Sequence, residues 1–227
     1  MATTLITGCD YGIGFEFARQ YADEGWIVHA VCLDATSKDR LVAIGREVHI
    51  HHLDVGDQAG VEALARSLAS QPIDLLINNA ATFAPDGPGT LQLPDIDEFV
   101  RVMKVNAVAP IYVAAAFEEH VAASEHRQMV FIGTRSGSIG DNNSGGHYAY
   151  RCSKTALNMA VKSLAVDFAQ RKIVTAVLHP GSVKTETRKG GQIDVAESVS
   201  GMRARIADLT PEKTGTFMRY DGGTIEW

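Results

Sequence analysis

Seven short apolar runs rich in β-branched residues recur along the chain, and longer stretches of helical periodicity lie between them. The runs are "TTLIT" (3–7), "WIVHAVCL" (26–33), "EVHIHHL" (47–53), "DLLIN" (74–78), "QMVFIG" (128–133), "IVTAVLH" (173–179) and "TFMRY" (216–220). Helical patterns cover 12–24, 57–70, 95–122, 148–170 and 194–208. A strand of continuous apolar character has no wet face, so both of its sides must be covered. Strand alternating with helix therefore predicts an α/β fold, a parallel sheet with helices on both faces. No internal repeat, low-complexity tract or linker divides the chain, so residues 1–227 read as a single domain.

The 227 residues are 45% hydrophobic and 21% charged, enough for one large domain with a full core. A formal charge of −6, with no basic run, argues against nucleic acid as a partner. Cys9, Cys32 and Cys152 are scattered and form no Cys-x-x-Cys pair. A disulfide framework or zinc site is not expected, no metal is expected elsewhere, and a reducing compartment fits. The start "MATTLITG" lacks the features of a signal peptide, and no apolar run approaches the roughly 20 residues of a membrane span. The expectation is a cytoplasmic globular protein that does not bind a membrane.

"TLITGCDYGIGFEFARQYADEG" places Gly8, Gly12 and Gly14 directly after the first strand and into the first helix. Glycine there lets the backbone turn tightly and approach a pyrophosphate, which the helix N-terminus favours. The spacing is G-x-x-x-G-x-G, so the flanking strand and helix carry much of the inference. "LDV" (53–55) follows the third strand, where Asp54 could accept a hydrogen bond from an adenine amino group. "INNAA" (77–81) follows the fourth, where Asn79 and Ala80 would let a flat ligand pass close to the backbone. All of these lie at strand C-terminal ends, the edge that holds the ligand crevice in open α/β sheets.

In "GGHYAYRCSKTALNMA" (145–160), Tyr150 and Lys154 are one helical turn apart and share a face, whereas Tyr148 has Cys152 at that position. A phenol with a pKa near 10 is a poor acid–base catalyst at neutral pH. A neighbouring ammonium favours the phenolate and moves that pKa towards the working range. The pair alone is weak evidence, and the nucleotide loop upstream gives it weight.

These residues resemble the short-chain dehydrogenase/reductase family along essentially the whole chain. The likeness rests on "TGCDYGIG" (7–14), "NNAA" (78–81), Asn106 in "KVNAVAP", "YRCSK" (150–154) and "HPGSVKT" (179–185). The stretch 133–168 and the ending "YDGGTIEW" look like the sniffer-type carbonyl reductase and C-factor branch. The resemblance implies a Rossmann-type doubly wound sheet of strand order 3-2-1-4-5-6-7. It also implies an oxidoreductase that moves a hydride between a nicotinamide cofactor, NAD(P)(H), and a carbonyl or secondary alcohol. Tyr150 would be the acid and base, and Lys154 would lower its pKa and hold the nicotinamide ribose. Asn106 would support a water chain to Lys154. The cofactor-binding set would be Gly8, Asp10, Tyr11, Gly12, Ile13, Gly14, Leu33, Asp34, Asp54, Val55, Asn79, Ala80, Ala81, Tyr150, Lys154, Pro180, Gly181, Val183 and Thr185. Loops 81–95, 134–148 and 182–196 would enclose the substrate.

Three positions depart from the family. Ala81 replaces the glycine of Asn-Asn-Ala-Gly, and Thr134 stands where the catalytic serine is expected, with Ser136 and Ser138 as competitors. The second strand ends "AVCLDA": Leu33 stands where NADP-preferring relatives often carry Arg, and Cys32 where NAD-preferring ones carry Asp. The missing cation gives a weak lean to NAD, although Lys38 and Arg40 lie close by. The alternative function is a nucleotide-binding regulatory or signalling protein on the same fold.

Other features read more simply. His49, His51 and His52 are ordinary strand histidines, because no further ligands follow at metal spacing. Cys9 and Cys152 read as buried, inert thiols. Arg188 and Lys189 read as solvated loop charges. The stripe through "ALNMAVKSLAVDF" is core, and its small residues also suit a helix seam in a homodimer or homotetramer built through 148–170.

Overall fold

The computed structural model describes every residue except 46, 70, 85–90, 92, 187 and 188. All seven apolar runs form strands: β1 (Thr3–Thr7), β2 (Ile27–Cys32), β3 (Val48–His52), β4 (Leu75–Asn78), β5 (Gln128–Ile132), β6 (Val174–His179) and β7 (Thr216–Arg219). They pair in parallel in the order β3-β2-β1-β4-β5-β6-β7. From β1 the chain winds outward to β3, then returns to β4 and winds the other way to β7. The reversal leaves a crevice where β1 and β4 end side by side, and the loop after each strand opens into it.

Alternation along the strands divides the core in two. Ile6, Ala30, Ile77, Val130 and Leu178 face α1 (Gly12–Asp23) and α8 (Val195–Ala207), packing on Phe17, Tyr21, Val199 and Met202. Their neighbours Leu5, Val31, Leu76, Met129 and Val177 face the opposite layer. That layer contains α3 (Gln58–Ser67), α5 (Ala109–Ala116) and α7 (Tyr148–Asp167), which contribute Val61, Val113, Leu157 and Val161. The strands β1, β2, β4, β5 and β6 bury both faces, which explains the absence of polar alternation in their sequences, whereas the edge strands β3 and β7 are partly exposed.

The pattern at 95–122 is not one helix. It runs as α4 (Ile96–Met103), a π turn at Lys104–Val108, α5, and α6 (Glu118–Ala122), with α4 capped by the Asp95 carboxylate on the Glu98 N–H at 2.8 Å. Pro110 brings no N–H to the ladder, so the carbonyl of Asn106, four residues before it, loses its α-helical donor. A widened turn at that point is the backbone's accommodation. The segment Ile96–Ala116, 21 residues with mean hydropathy 1.4, is long and apolar enough to cross a membrane by length and composition. That corrects the expectation that no stretch approaches such a length; here it packs against α3 and α7. A short helical segment, a 3₁₀ turn Ala35–Ser37 followed by α2 (Lys38–Val42), was not expected from the sequence.

Candidate active site

The glycine loop is a cradle that side chains would fill. Gly8 has φ +72°, and a Cβ there would lie 2.8 Å from the Ala80 Cα. A Cβ on Gly14 would run into the Gly8 carbonyl oxygen and come within 2.5 Å of the Asn79 amide nitrogen. Gly12, at φ +60°, faces the Thr185 methyl, 3.3 Å from where a Cβ would sit. Tyr11 and Ile13 flank the glycines, and no side chain caps the first N–H groups of α1. Those open donors with the helix dipole behind them suit a pyrophosphate, so the residues present fit a dinucleotide. Asn79 does more than leave room for a ligand. Its amide donates to the carbonyls of Thr7 (2.9 Å) and Gly8 (3.0 Å), and Thr7 Oγ1 accepts from the N–H groups of Asn79 and Ala80. The β4 loop thereby holds the glycine loop in shape. Ala81 is exposed beside it.

At the end of β2, the Asp10 carboxylate accepts from the N–H groups of Leu33 (3.2 Å) and Asp34 (2.7 Å) and from the Ser37 hydroxyl (3.0 Å). Asp34 caps the following turn through the Thr36 N–H, which lowers its carboxyl pKa, and Leu33 is exposed. Asp54 likewise closes a turn on the Gly56 N–H at 2.8 Å, next to Val55. The Arg40 guanidinium lies 5.7 Å from the Phe15 ring centroid and pairs with Glu186 at 3.2 Å. On the far side, Pro180 accepts from the Ser198 hydroxyl at 2.6 Å, Gly181 turns at φ +84°, and Val183 bridges to Ile193. This chain path carries Thr185 over Gly12.

α7 brings Tyr150 and Lys154 together. Lys154 is 3% exposed, its Nζ donates to the Ile132 carbonyl at 3.0 Å, and it lies 6.0 Å from the Tyr150 ring centroid. Among the described residues no carboxylate pairs with it, and burial pushes its pKa down to about 8. Tyr150 is half-buried, whereas Tyr148 turns outward beside Cys152 and Met159. Gly137 is needed at this seam, because a Cβ there would be 2.9 Å from the Lys154 carbonyl carbon. Thr134, two residues past the end of β5, is half-buried and caps the following turn, its Oγ1 accepting from the Ser136 N–H at 3.2 Å. Ser138 is buried and accepts from the Asp141 N–H at 3.1 Å.

Asn106 is fully buried, and its side chain has a task the sequence did not reveal. Its Oδ1 accepts from the Thr82 N–H and its Nδ2 donates to the Thr82 carbonyl, both at 2.8 Å, and to Ser153 Oγ at 3.0 Å. Two further residues, unmarked by any motif, join the site. Phe83 packs on Tyr150 with ring centroids 4.4 Å apart, and Arg101 reaches Thr82 Oγ1 at 2.8 Å.

Cys9 is buried and its pKa raised by desolvation, but Cys152 is exposed, correcting the expectation of a buried thiol; only its position in α7 was readable. Arg188 lies outside the described residues. His49 and His51 share a face with His29, whose Nδ1 is 3.0 Å from His51 Nε2, and burial with the neighbouring imidazoles lowers His29 to about 4. Among the described residues no three His, Cys, Asp or Glu side chains are grouped to hold a metal.

Comparison with known proteins agrees with this fold. The family model described as short chain dehydrogenase matches residues 2–194. The chain is 33% identical to the 1-hydroxy-2-glutathionyl-2-methyl-3-butene dehydrogenase of Rhodococcus sp. (strain AD45), with 100% of both sequences covered. Among solved structures it is similar to the carbonyl reductase Sniffer of D. melanogaster, with TM-score 0.91, 28% identity and 100% of both chains covered. It is also similar to the NADPH-bound carbonyl reductase from chicken fatty liver, with TM-score 0.88 and 28% identity over 100% of this chain and 99% of that one.

Proposed function

The chain belongs to the short-chain dehydrogenase family, an oxidoreductase family acting on carbonyl and alcohol groups, and from that membership we propose that it is an NADP(H)-dependent carbonyl reductase with Tyr150 as acid and base. The observation that carries this reading is the buried ammonium of Lys154 one turn from Tyr150, at the C-terminal edge of the sheet and beside a glycine cradle.

A bound nicotinamide supplies or accepts the hydride; the residues of this chain supply orientation and the proton. The Tyr150 phenol donates to the carbonyl oxygen in reduction and takes the proton from an alcohol in oxidation. Lys154 remains largely protonated at neutral pH with a pKa near 8, and its charge favours the phenolate. Thr134 Oγ1 already accepts from the Ser136 N–H, so its own proton is available to donate to the substrate oxygen as charge develops there. Asn106 acts in two ways. Its side chain fixes Thr82, and its backbone carbonyl, deprived of a donor by Pro110, is the group for a water chain towards Lys154.

The dinucleotide would lie along Gly8–Gly14, Asp34, Asp54–Val55, Asn79–Ala81 and Pro180–Thr185. The lean to NAD gives way to NADP, the form held by the chicken enzyme. Asp10 has both oxygens engaged by Leu33, Asp34 and Ser37, while Arg40 offers the cation that the end of β2 lacks, exchanging Glu186 for a 2′-phosphate. Exposed Val108, Ile111, Tyr112, Met159 and Val166 on α5 and α7, with the π turn between α4 and α5, fit a homodimer or homotetramer seam. The substrate is a small carbonyl or alcohol, and the setting is cytoplasmic.

Absorbance at 340 nm, followed with NADPH and NADH across a carbonyl panel, tests the proposal. Tyr150→Phe should lower turnover by roughly 10²-fold or more while the dinucleotide still binds, and Tyr148→Phe should do far less. Equal effects of the two changes would refute the choice of tyrosine.

A further inference from the structure

Phe83 is a large apolar side chain that is 51% exposed yet tightly held. Its ring packs against Tyr150 at 4.4 Å, tilted 39°, and meets His147 edge-on at 5.4 Å. The backbone that carries it is fixed from two sides. Asn106 grips both the N–H and the carbonyl of Thr82. Arg101, from α4, donates to Thr82 Oγ1 at 2.8 Å and to the Phe83 carbonyl at 3.4 Å. Glu98 holds that guanidinium in a bidentate pair at 2.6 and 2.7 Å. An exposed phenylalanine ordinarily gains little by being held, because ordering it costs entropy and leaves apolar surface in water. Here one face lies on the proposed acid, one edge meets His147, and the remaining half of the side chain is exposed next to that acid.

We propose that Phe83 is a specificity-determining wall of the substrate site, selecting carbonyls that carry a flat aryl or conjugated group, and that Arg101 is its positioning residue. A carbonyl oxygen within reach of the Tyr150 phenol leaves its substituent beside the open part of the Phe83 ring, where offset or edge contacts between π systems are favourable. Arg101 does not recruit an anionic group, because Glu98 already neutralises it. The inference rests on the reading of Tyr150 as the acid.

Acetophenone and cyclohexyl methyl ketone form a matched pair of flat and puckered substrates. With saturating NADPH, Phe83→Ala should lower the acetophenone-to-cyclohexyl ratio of kcat/KM by about tenfold, the scale of one stacked ring contact with its buried area. The loss should fall mainly in KM, and Phe83→Tyr should restore the ratio. Arg101→Ala should raise KM for acetophenone severalfold with kcat little changed, whereas Arg101→Lys, unable to fork between Thr82 and Phe83, should rescue only in part. A ratio unmoved by Phe83→Ala, in an enzyme that reduces both ketones, overturns the inference and leaves the function standing. Wild-type protein that binds dinucleotide but reduces neither ketone nor any other carbonyl of the panel overturns both.

Discussion

Replacing Lys154 with methionine should make the dinucleotide-free protein more stable at pH 7 while disabling its chemistry. The ammonium is buried, hydrogen-bonded only to the Ile132 carbonyl among the described residues, and its pKa falls from the ordinary 10.5 to about 8. That difference is worth about 3 kcal/mol against folding at neutral pH, where the charged form must be buried. Methionine fills nearly the same space without the charge, and loses a hydrogen bond worth about 1 kcal/mol, so the net gain should be about 2 kcal/mol. The advantage shrinks as pH rises. Between about 8 and 10.5 the unfolded chain binds the proton that the folded one has released, so wild-type stability rises across this window. By pH 10 the residual cost is under about 1 kcal/mol and the advantage of methionine should vanish. Urea unfolding of both proteins at pH 7 and pH 10, without dinucleotide, measures the gap directly. A methionine variant less stable at pH 7, or a gap independent of pH, would refute the reasoning.

The other expectations concern single groups. Thr134→Ala should lower kcat by roughly 10²-fold, the scale of one lost donor to a developing oxyanion, and Thr134→Ser should stay active; normal kcat in the alanine variant, with a crippled Ser136→Ala or Ser138→Ala, would move the role down the loop. Gly14→Val has no room against the Gly8 carbonyl and Asn79, so dinucleotide affinity measured by calorimetry should collapse; unchanged affinity in a folded variant would disprove the cradle. His29 holds its proton only below about 4 in the fold, against 6.5 unfolded. Stability should therefore be intact above 6.5 and decline as pH falls towards and through 4, and His29→Phe should flatten that limb of a thermal-melt profile.

The sheet could be read almost strand for strand, because burial on both faces of the inner strands shows in their sequences as an unbroken apolar run. The proposed chemistry was also local: Tyr150 and Lys154 stand one turn apart, and Gly8 in the loop and Gly14 in the first turn of α1 have neighbours that announce a strand–turn–helix. What escaped was tertiary. Nothing near Asp10 indicates that it will cap the amides of Leu33 and Asp34, and nothing near Arg101 indicates a grip on Thr82 nineteen positions back. The break at 104–108 left only Pro110 as its trace, and a proline in the first turn of a helix is too ordinary to signal a widened turn before it. Cys152 was misjudged because periodicity places a residue on a helix face without saying whether that face meets the core.

The π turn also has a meaning for how such a chain can change over time. It accommodates one residue more than an α-helix would need over the same rise, so its contribution to the site is a matter of counting, not of composition. Deleting Lys104, Val105, Ala107 or Val108 would remove that extra residue and let α4 and α5 merge into a regular helix, without the widened turn that carries Asn106. Asn106 would leave the position from which it holds Thr82, with its side chain still present. Substitutions across this turn, Asn106 apart, are thus negotiable one by one, while a frame-preserving loss of a single codon is not. Among descendants of this sequence, length here should be guarded more strictly than identity.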